Sequence, residues 1–461
     1  MGRPTAASLH FHGAIDTVTG SRFELRFGKG RYLVDCGLFQ GLKELRLRNW
    51  AASGLEAQNL DAVFLTHAHL DHSGFLPVLS REGFTGPIYC TAATRDLCRY
   101  LLPDSGFIQE KDAARANRYG YTRHQPALPL YTQAEAAATL AQFQSVDFNQ
   151  SLSVSDQMQL KFSRAGHIPG AASLQVSLGK LNVLFSGDLG RSNCPTMPPP
   201  DPPPAADYVV IESTYGDRLH NNEDVEVELA ALVRDTLARG GTMVVPAFAV
   251  GRTQLLLHHL CRLMRSRQIP RVPVFLDSPL GINATEVFAN HPDDHRLSLA
   301  EAEAACALPR YVRDPEESRR LDHDPMPKII LAGSGMATGG RVLHHLKVYL
   351  GDQRHTVLLT GYQAAGTRGA KLIQSAESIR IHGQDWPVRA RIAHLDSLSA
   401  HADSDELIEW LSQLPRAPRK VFVVHGETQA AGTLAERIQS ELCWPACCPE
   451  SDHPYPLAPR G

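Results

Sequence analysis

The densest chemistry in the chain is His67-Ala68-His69-Leu70-Asp71-His72, four imidazole or carboxylate groups within six residues. The run follows an apolar segment, residues 60–66, that reads as a strand, and it leads into the helix-like Phe75-Leu76-Pro77-Val78-Leu79. Alternate residues after a strand aim His67 and His69 the same way, while Asp71 and His72, at the turn into the helix, reach a neighbouring point. Imidazole and carboxylate suit zinc, and two slightly offset sets suit two ions ~3.5–4 Å apart. The competing reading is a solvated polar turn at a strand end. One loop cannot complete two coordination shells, so further ligands must come from elsewhere. His167, Asp188 and His425 are the candidates, each at a strand end or beside glycines: Gly166-His167-Ile168-Pro169-Gly170, Gly187-Asp188-Leu189-Gly190 and Val424-His425-Gly426.

The elements that must position these residues follow from the hydrophobic pattern. Strands are expected near residues 8–11, 23–27, 31–35, 173–178, 182–186 and 208–211. Residues 194–204 contain seven prolines and can form neither a helix interior nor a central strand, so they read as a stiff surface loop of the first domain. From about residue 217 the rhythm becomes strand–helix alternation, with strands at 242–246, 274–276, 328–332 and 356–360 and helices from 252 and 341. That pattern predicts a parallel sheet covered by helices. After residue 390 the histidine-bearing style returns, so one domain is expected to be inserted into another, with boundaries at 1–216, 217–391 and 392–461.

These motifs together resemble the metallo-β-lactamase-fold hydrolases, and within them the β-CASP nucleases. The resemblance rests on Thr66-His67-Ala68-His69-Leu70-Asp71-His72-Ser73-Gly74, Glu212-Ser213-Thr214-Tyr215-Gly216, Pro246-Ala247-Phe248-Ala249-Val250-Gly251-Arg252, Asp277-Ser278-Pro279-Leu280, Gly333-Ser334-Gly335, Ser399-Ala400-His401-Ala402-Asp403 and Val424-His425-Gly426-Glu427. It implies a four-layer αββα fold with an inserted α/β β-CASP domain. It implies one zinc held by His67, His69 and His167, and a second by Asp71, His72 and His425, with Asp188 bridging. Asp35 would orient ligands from behind. His401 would be the general acid and Glu212 its partner, so that His401, Glu212 and Asp71 carry the reaction. A His at the position of His425 goes with RNA-processing members, which makes single-stranded RNA the implied partner. His394 is a rival proton donor that matches no family motif.

Substrate contacts are expected on the inserted domain, at Arg252 and at the glycine loop carrying Ser334 and Gly335, whose amides could hold a phosphate. Glycines that merely allow close packing explain that loop equally well. The helix from 252 is weighed against an ordinary surface helix with Leu256, Leu260 and Leu263 inward. A second basic–aromatic stretch, Arg99, Tyr100, Lys111, Arg115, Arg118, Tyr119, Tyr121 and Arg123, could stack on and track RNA, though Asp104, Glu110 and Asp112 dilute it.

Composition bounds these readings. With 461 residues, 43% hydrophobic and 21% charged, the chain has an ordinary globular make-up, and no apolar run reaches membrane-spanning length. The opening residues lack an apolar signal segment, and nine scattered cysteines suggest a reducing compartment, so a cytoplasmic protein is expected. A net charge of −3 does not advertise nucleic acid, so any RNA must be held locally. A homodimer is allowed. The alternatives from other classes are a small-molecule hydrolase of the same fold and a catalytically silent RNA-binding subunit. An insertion of this size argues against the first, and the complete ligand set against the second.

Overall fold

A computed structural model describes residues 6–51, 54–120, 122–221, 224–364, 366–451 and 453–459; the first five residues and Tyr121 lie outside these. The chain divides into two compact units. One takes the described residues up to Cys194, Pro198–Leu219 and those from His401 onward; the other takes Pro195–Met197 and His220–Ala400.

The first unit contains two seven-stranded sheets. One runs Tyr455–Leu457, Ala7–Phe11, Phe23–Phe27, Gly30–Val34, Ala62–Phe64, Ile88–Cys90, Phe143–Ser145. The other runs Ala446–Cys447, Lys420–Val423, Tyr208–Ile211, Leu181–Phe185, Ala172–Leu178, Met158–Arg164, Ser151–Ser155. Their inner faces share one core, with Leu9, Phe11, Leu25 and Phe64 from the first sheet against Phe162, Leu174, Val183 and Phe422 from the second. Helices Ala92–Tyr119 and Gln133–Thr139 cover the first sheet, and Thr428–Glu441 packs on the second, giving the four αββα layers. Strand types follow their surroundings. Ala7–Phe11, paired antiparallel, alternates buried and half-buried positions, whereas Ala62–Phe64 and Tyr208–Ile211, sandwiched between core and helices, are buried throughout.

The second unit is a six-stranded, all-parallel sheet in the order Arg310–Tyr311, Val274–Asp277, Ile329–Ala332, Met243–Pro246, Thr356–Thr360, Arg391–Leu395. The four strands in the middle of that order are buried at every position, as sheets covered on both faces require. Arg391–Leu395, which the sequence reading splits between inserted and returning segments, pairs along its whole length with Thr356–Thr360 and so closes the inserted sheet. The proline run is likewise shared: Arg296 N–H donates to Thr196 O (2.9 Å) inside the second unit, while Pro198 onward belongs to the first. The hairpin Ser378–Ile381/Gln384–Pro387 has no counterpart in the sequence reading; its two turn residues, His382 and Gly383, both take positive φ, as tight hairpins demand.

A buried charge network locks the second unit. His345 donates through Nε2 to Asp277 Oδ2 and through Nδ1 to Asp322 Oδ1, both at 2.7 Å, while Arg341 (2.5 Å) and the Ser318 hydroxyl (2.5 Å) also reach Asp277. Two carboxylate partners require both ring nitrogens to carry protons. Burial opposes that charge, but the bonds to Asp277 and Asp322 raise the His345 pKa to about 9 from its ordinary 6.5. A pKa raised on folding stabilises fully below the unfolded value, and the benefit is lost as pH rises through the folded one, here between 6.5 and about 9. The unfolding free energy, measured by denaturant titration, is expected to fall by on the order of 3 kcal/mol across that window in the native chain. The His345→Gln variant should lack that slope.

Candidate metal centre

The ligand-bearing residues of the first unit come from four places in the chain and meet at one edge of the two sheets. Strand Ala62–Phe64 delivers His67 and His69, and the short helix Leu70–Ser73 that follows delivers Asp71 and His72. His167 and Asp188 come from the turns that follow Met158–Arg164 and Leu181–Phe185, and His425 from the turn after Lys420–Val423. Their donor atoms form two groups. His67, His69, His167 and Asp188 lie within 4.8 Å of one another, as do Asp71, His72 and His425. In the first group, His69 Nδ1 is 3.1 Å from His67 Nε2 and 3.1 Å from His167 Nε2, and Asp188 Oδ2 is 3.4 and 3.6 Å from those same two Nε2 atoms. In the second, His425 Nε2 is 3.1 Å from His72 Nε2 and 3.3 Å from Asp71 Oδ2, and Asp188 Oδ1 is 3.2 Å from His72 Nε2.

These donors fit metal ions. Tetrahedral zinc with bonds of about 2.0–2.1 Å places its ligand atoms roughly 3.3 Å apart, the spacing seen here. Imidazole nitrogens converging at such distances cannot all donate to one another. Burial pushes the His67 pKa well below its usual value and that of His69 to about 4, which leaves both rings neutral with lone pairs available. Asp188 Oδ1 is buried and has no hydrogen bond, an orphaned anionic oxygen that a cation between the groups would satisfy. Burial works against the Asp188 charge, but His425, His72 and His67 around it keep its carboxyl well below the carboxylate range.

A further set of contacts holds the ligands in place. Asp35 takes the Thr66 N–H and hydroxyl (both 2.8 Å) and accepts from His72 Nδ1 at 2.7 Å, which turns His72 Nε2 toward Asp188. Thr214 donates to Glu212 Oε2 (2.7 Å) and lies 3.1 Å from His425 Nδ1, doing for His425 what Asp35 does for His72. Thr66 and Thr214 stand inside family motifs quoted in the sequence reading, with no role given to either; their place in those motifs is the signal that could have found them. Backbones also approach where no side chain fits. A Cβ on Gly37 would lie 1.6 Å from Asp71 O, and one on Gly190 would lie 1.9 Å from Gly166 O.

Beside the first group, His401 Nδ1 lies 3.0 Å from Glu212 Oε2, and its ring centroid is 4.4 Å from that of His167. Glu212 is fixed by the Leu189 N–H on Oε1 (2.5 Å) and by its own N–H to Ser186 Oγ (3.0 Å). His394, the rival donor, lies in the second unit with Nε2 3.0 Å from Gly361 O.

Three further sequence candidates belong to the second unit. Arg252 is buried at the start of helix Arg252–Arg265, its guanidinium carbon 5.6 Å from the Phe248 ring centroid. That helix is buried around most of its circumference, Leu256, Leu260 and Leu263 included, so it is no ordinary surface helix. Ser334 Oγ accepts the Thr338 and Gly339 N–H groups (3.0 and 3.3 Å), and Gly335 sits where a Cβ would meet Phe248 Cδ2 at 2.3 Å. Close packing therefore accounts for Gly335.

The metallo-β-lactamase superfamily model matches residues 23–220, the Beta-Casp domain model residues 253–372, and the model for the RNA specificity domain of Zn-dependent metallo-hydrolases residues 385–449. Ribonuclease TTHA0252 of Thermus thermophilus is 37% identical over 437 residues, covering 92% of this chain and 94% of that protein. The chain belongs to the β-CASP ribonuclease family. Other members similar to it are the transcription termination factor FttA of Methanosarcina mazei (31% identity; 93% of this chain, 68% of that protein) and an RNase J-like protein of Methanocaldococcus jannaschii (29%; 96% and 97%). A solved Enterococcus faecalis structure of a protein of unknown function shares the fold, with a TM-score of 0.56 at 13% identity, covering 98% of this chain and 100% of that one.

Metal analysis tests the split ligand set. The native chain is expected to bind about two zinc ions. Asp188→Asn should lower the content of both sites, whereas His425→Ala should lower it by about one, as read by mass spectrometry of dialysed protein.

Proposed function

We propose that this family member hydrolyses phosphodiester bonds of single-stranded RNA, with two zinc ions held by His67, His69 and His167 and by Asp71, His72 and His425, and with Asp188 between them. The observation that supports two sites is the division of Asp188, Oδ2 toward one group and Oδ1 toward the other. Zinc bound there supplies Lewis-acid neutralisation of phosphodiester charge and acidifies a water to a nucleophile near neutral pH.

The chain's own residues do the rest. His72 and His425 are pinned from behind by Asp35 and Thr214, so little reorganisation of these two accompanies charge build-up in the transition state. His401 is the general acid: with Nδ1 held by Glu212, its Nε2 carries the proton given to the departing 3′-oxygen. Glu212 acts as a positioning residue, fixing the ring and its tautomer. Asp71 is a metal ligand whose carboxylate also meets His425. Arg252 and Ser334 are assigned to substrate contact in the second unit, while Gly335 serves packing against Phe248. The ribonuclease name of the Thermus thermophilus relative and the RNA specificity model support RNA over a small substrate. None of the nine cysteines is in a disulfide, and no helix among the described residues is long and apolar enough to cross a membrane.

End-labelled RNA incubated with the zinc-loaded protein should yield 5′-phosphate and 3′-hydroxyl ends. His401→Ala should lower kcat by about 10²–10⁴ with zinc content unchanged, and Glu212→Gln by less. Cyclic phosphate ends would mean that the RNA's own 2′-hydroxyl attacks, and would sink this mechanism.

A further inference from the structure

Helix Ala92–Tyr119 carries a face that the metal centre does not use. Its first half is core: Leu97, Cys98, Leu101, Leu102, Ser105 and Gly106 are buried. Its base is tied to the ligand turns, since the hydroxyls of Thr91 and Thr94 both donate to Gly170 O (2.7 and 3.0 Å), three residues beyond His167. From Phe107 onward only Ala116 is buried.

Helical spacing sorts the side chains of this outer half, at about 100° per residue. Gln109, Glu110, Ala116 and Asn117 lie on one side and are engaged there. Gln109 Oε1 accepts the Leu130 N–H (3.0 Å), the Glu110 carboxylate the Gln133 N–H (3.3 Å), and the Asn117 amide bonds both ways with Ala127 (2.7 and 2.9 Å). Phe107, Lys111, Arg115 and Arg118 recur at i, i+4, i+8 and i+11, and with Ile108 and Tyr119 they cover the opposite arc. Phe107, Ile108 and Tyr119 are 41%, 44% and 63% exposed. Lys111 Nζ lies 4.3 Å from the Phe107 ring centroid, and the Arg118 guanidinium carbon 5.5 Å from that of Tyr119. Of the acids that dilute this stretch in the sequence, Glu110 faces away, Asp104 is half-buried one turn before Phe107, and Asp112 sits at the margin beside Arg115.

We infer that this strip, about 18 Å long at 1.5 Å per residue, is a second RNA-binding surface: bases stack on Phe107 and Tyr119, and phosphates meet Lys111, Arg115 and Arg118. This rests on the RNA reading of the metal centre. Rings with cations beside them suit a strand that alternates bases and phosphates. A lipid surface needs a continuous apolar stripe, and here Lys111, Arg115 and Arg118 separate Phe107 and Ile108 from Tyr119. The helix base abuts the His167 turn, so RNA bound along the strip runs outward from the metal centre.

The test compares the full-length native chain with Lys111→Glu/Arg115→Glu/Arg118→Glu and Phe107→Ala/Tyr119→Ala variants, on a dinucleotide and on an unstructured RNA of about 25 nucleotides. Both variants should raise KM, and the Kd from fluorescence anisotropy, for the long RNA about tenfold or more, with kcat/KM on the dinucleotide within about twofold. The charge-reversed variant should also flatten the salt dependence of binding, and Phe107→Trp/Tyr119→Phe should keep the native affinity that Phe107→Ala/Tyr119→Ala loses. Unchanged affinity for the long RNA overturns the inference, as does an equal loss on the dinucleotide. So does a variant effect confined to self-association or to binding of anionic vesicles. If the native chain binds the long RNA through this strip without cutting it, the nuclease reading fails and the strip stands; if it binds no RNA, both fail.

Discussion

Everything at the centre depends on Asp188 facing two ways. Its two buried oxygens meet separate groups of side chains, and in the first group His69 Nδ1 lies 3.1 Å from both His67 Nε2 and His167 Nε2, so a single proton cannot serve both contacts well. Buried polar groups left so poorly paired cost stability. Two of the ligands are tethered from behind: His72 by Asp35, itself held by Thr66, and His425 by Thr214, itself held by Glu212. Ligands held from behind in this way suit a preorganised electrostatic site.

The same tethers connect the metal ligands to the proposed proton donor. Glu212 is bonded to His401, to Thr214 and to the Leu189 amide, and Leu189 adjoins Asp188. A displacement at Glu212 therefore reaches both the acid and the His425 side of the metal set. Main-chain crowding at Gly37 and Gly190 serves the same end, because backbones packed this closely leave the ligand turns no room to shift.

The second unit obeys different physics. Its all-parallel sheet is buried on both faces, so it tolerates charge only where charge is fully paired, as at His345, Asp277, Asp322 and Arg341. Its glycine loop and Arg252 lie beyond the carboxyl ends of adjacent strands, where open α/β sheets bind ligands. Gly335 shows how one residue serves packing in a position where a phosphate-holding role was equally plausible from sequence.

The sequence by itself determined the ligand types, the inserted arrangement and the parallel sheet, because these are written in local terms: His/Asp density after a strand, hydrophobic period and turn residues. The αββα layering came through the family resemblance. The sequence also carried Glu212, His401 and Asp35, but only through family motifs, since no local pattern distinguishes them from ordinary loop residues. Tertiary structure alone decided which oxygen of Asp188 meets which group, that Thr66 and Thr214 orient the ligands, and that Arg391–Leu395 closes the inserted sheet. It also decided that Glu110 turns away from Lys111, Arg115 and Arg118. The physical reason is the same in each case. Hydrogen-bond direction, strand partner and helix face are relations between segments far apart in the chain, and composition or spacing within one segment cannot encode where the other will lie.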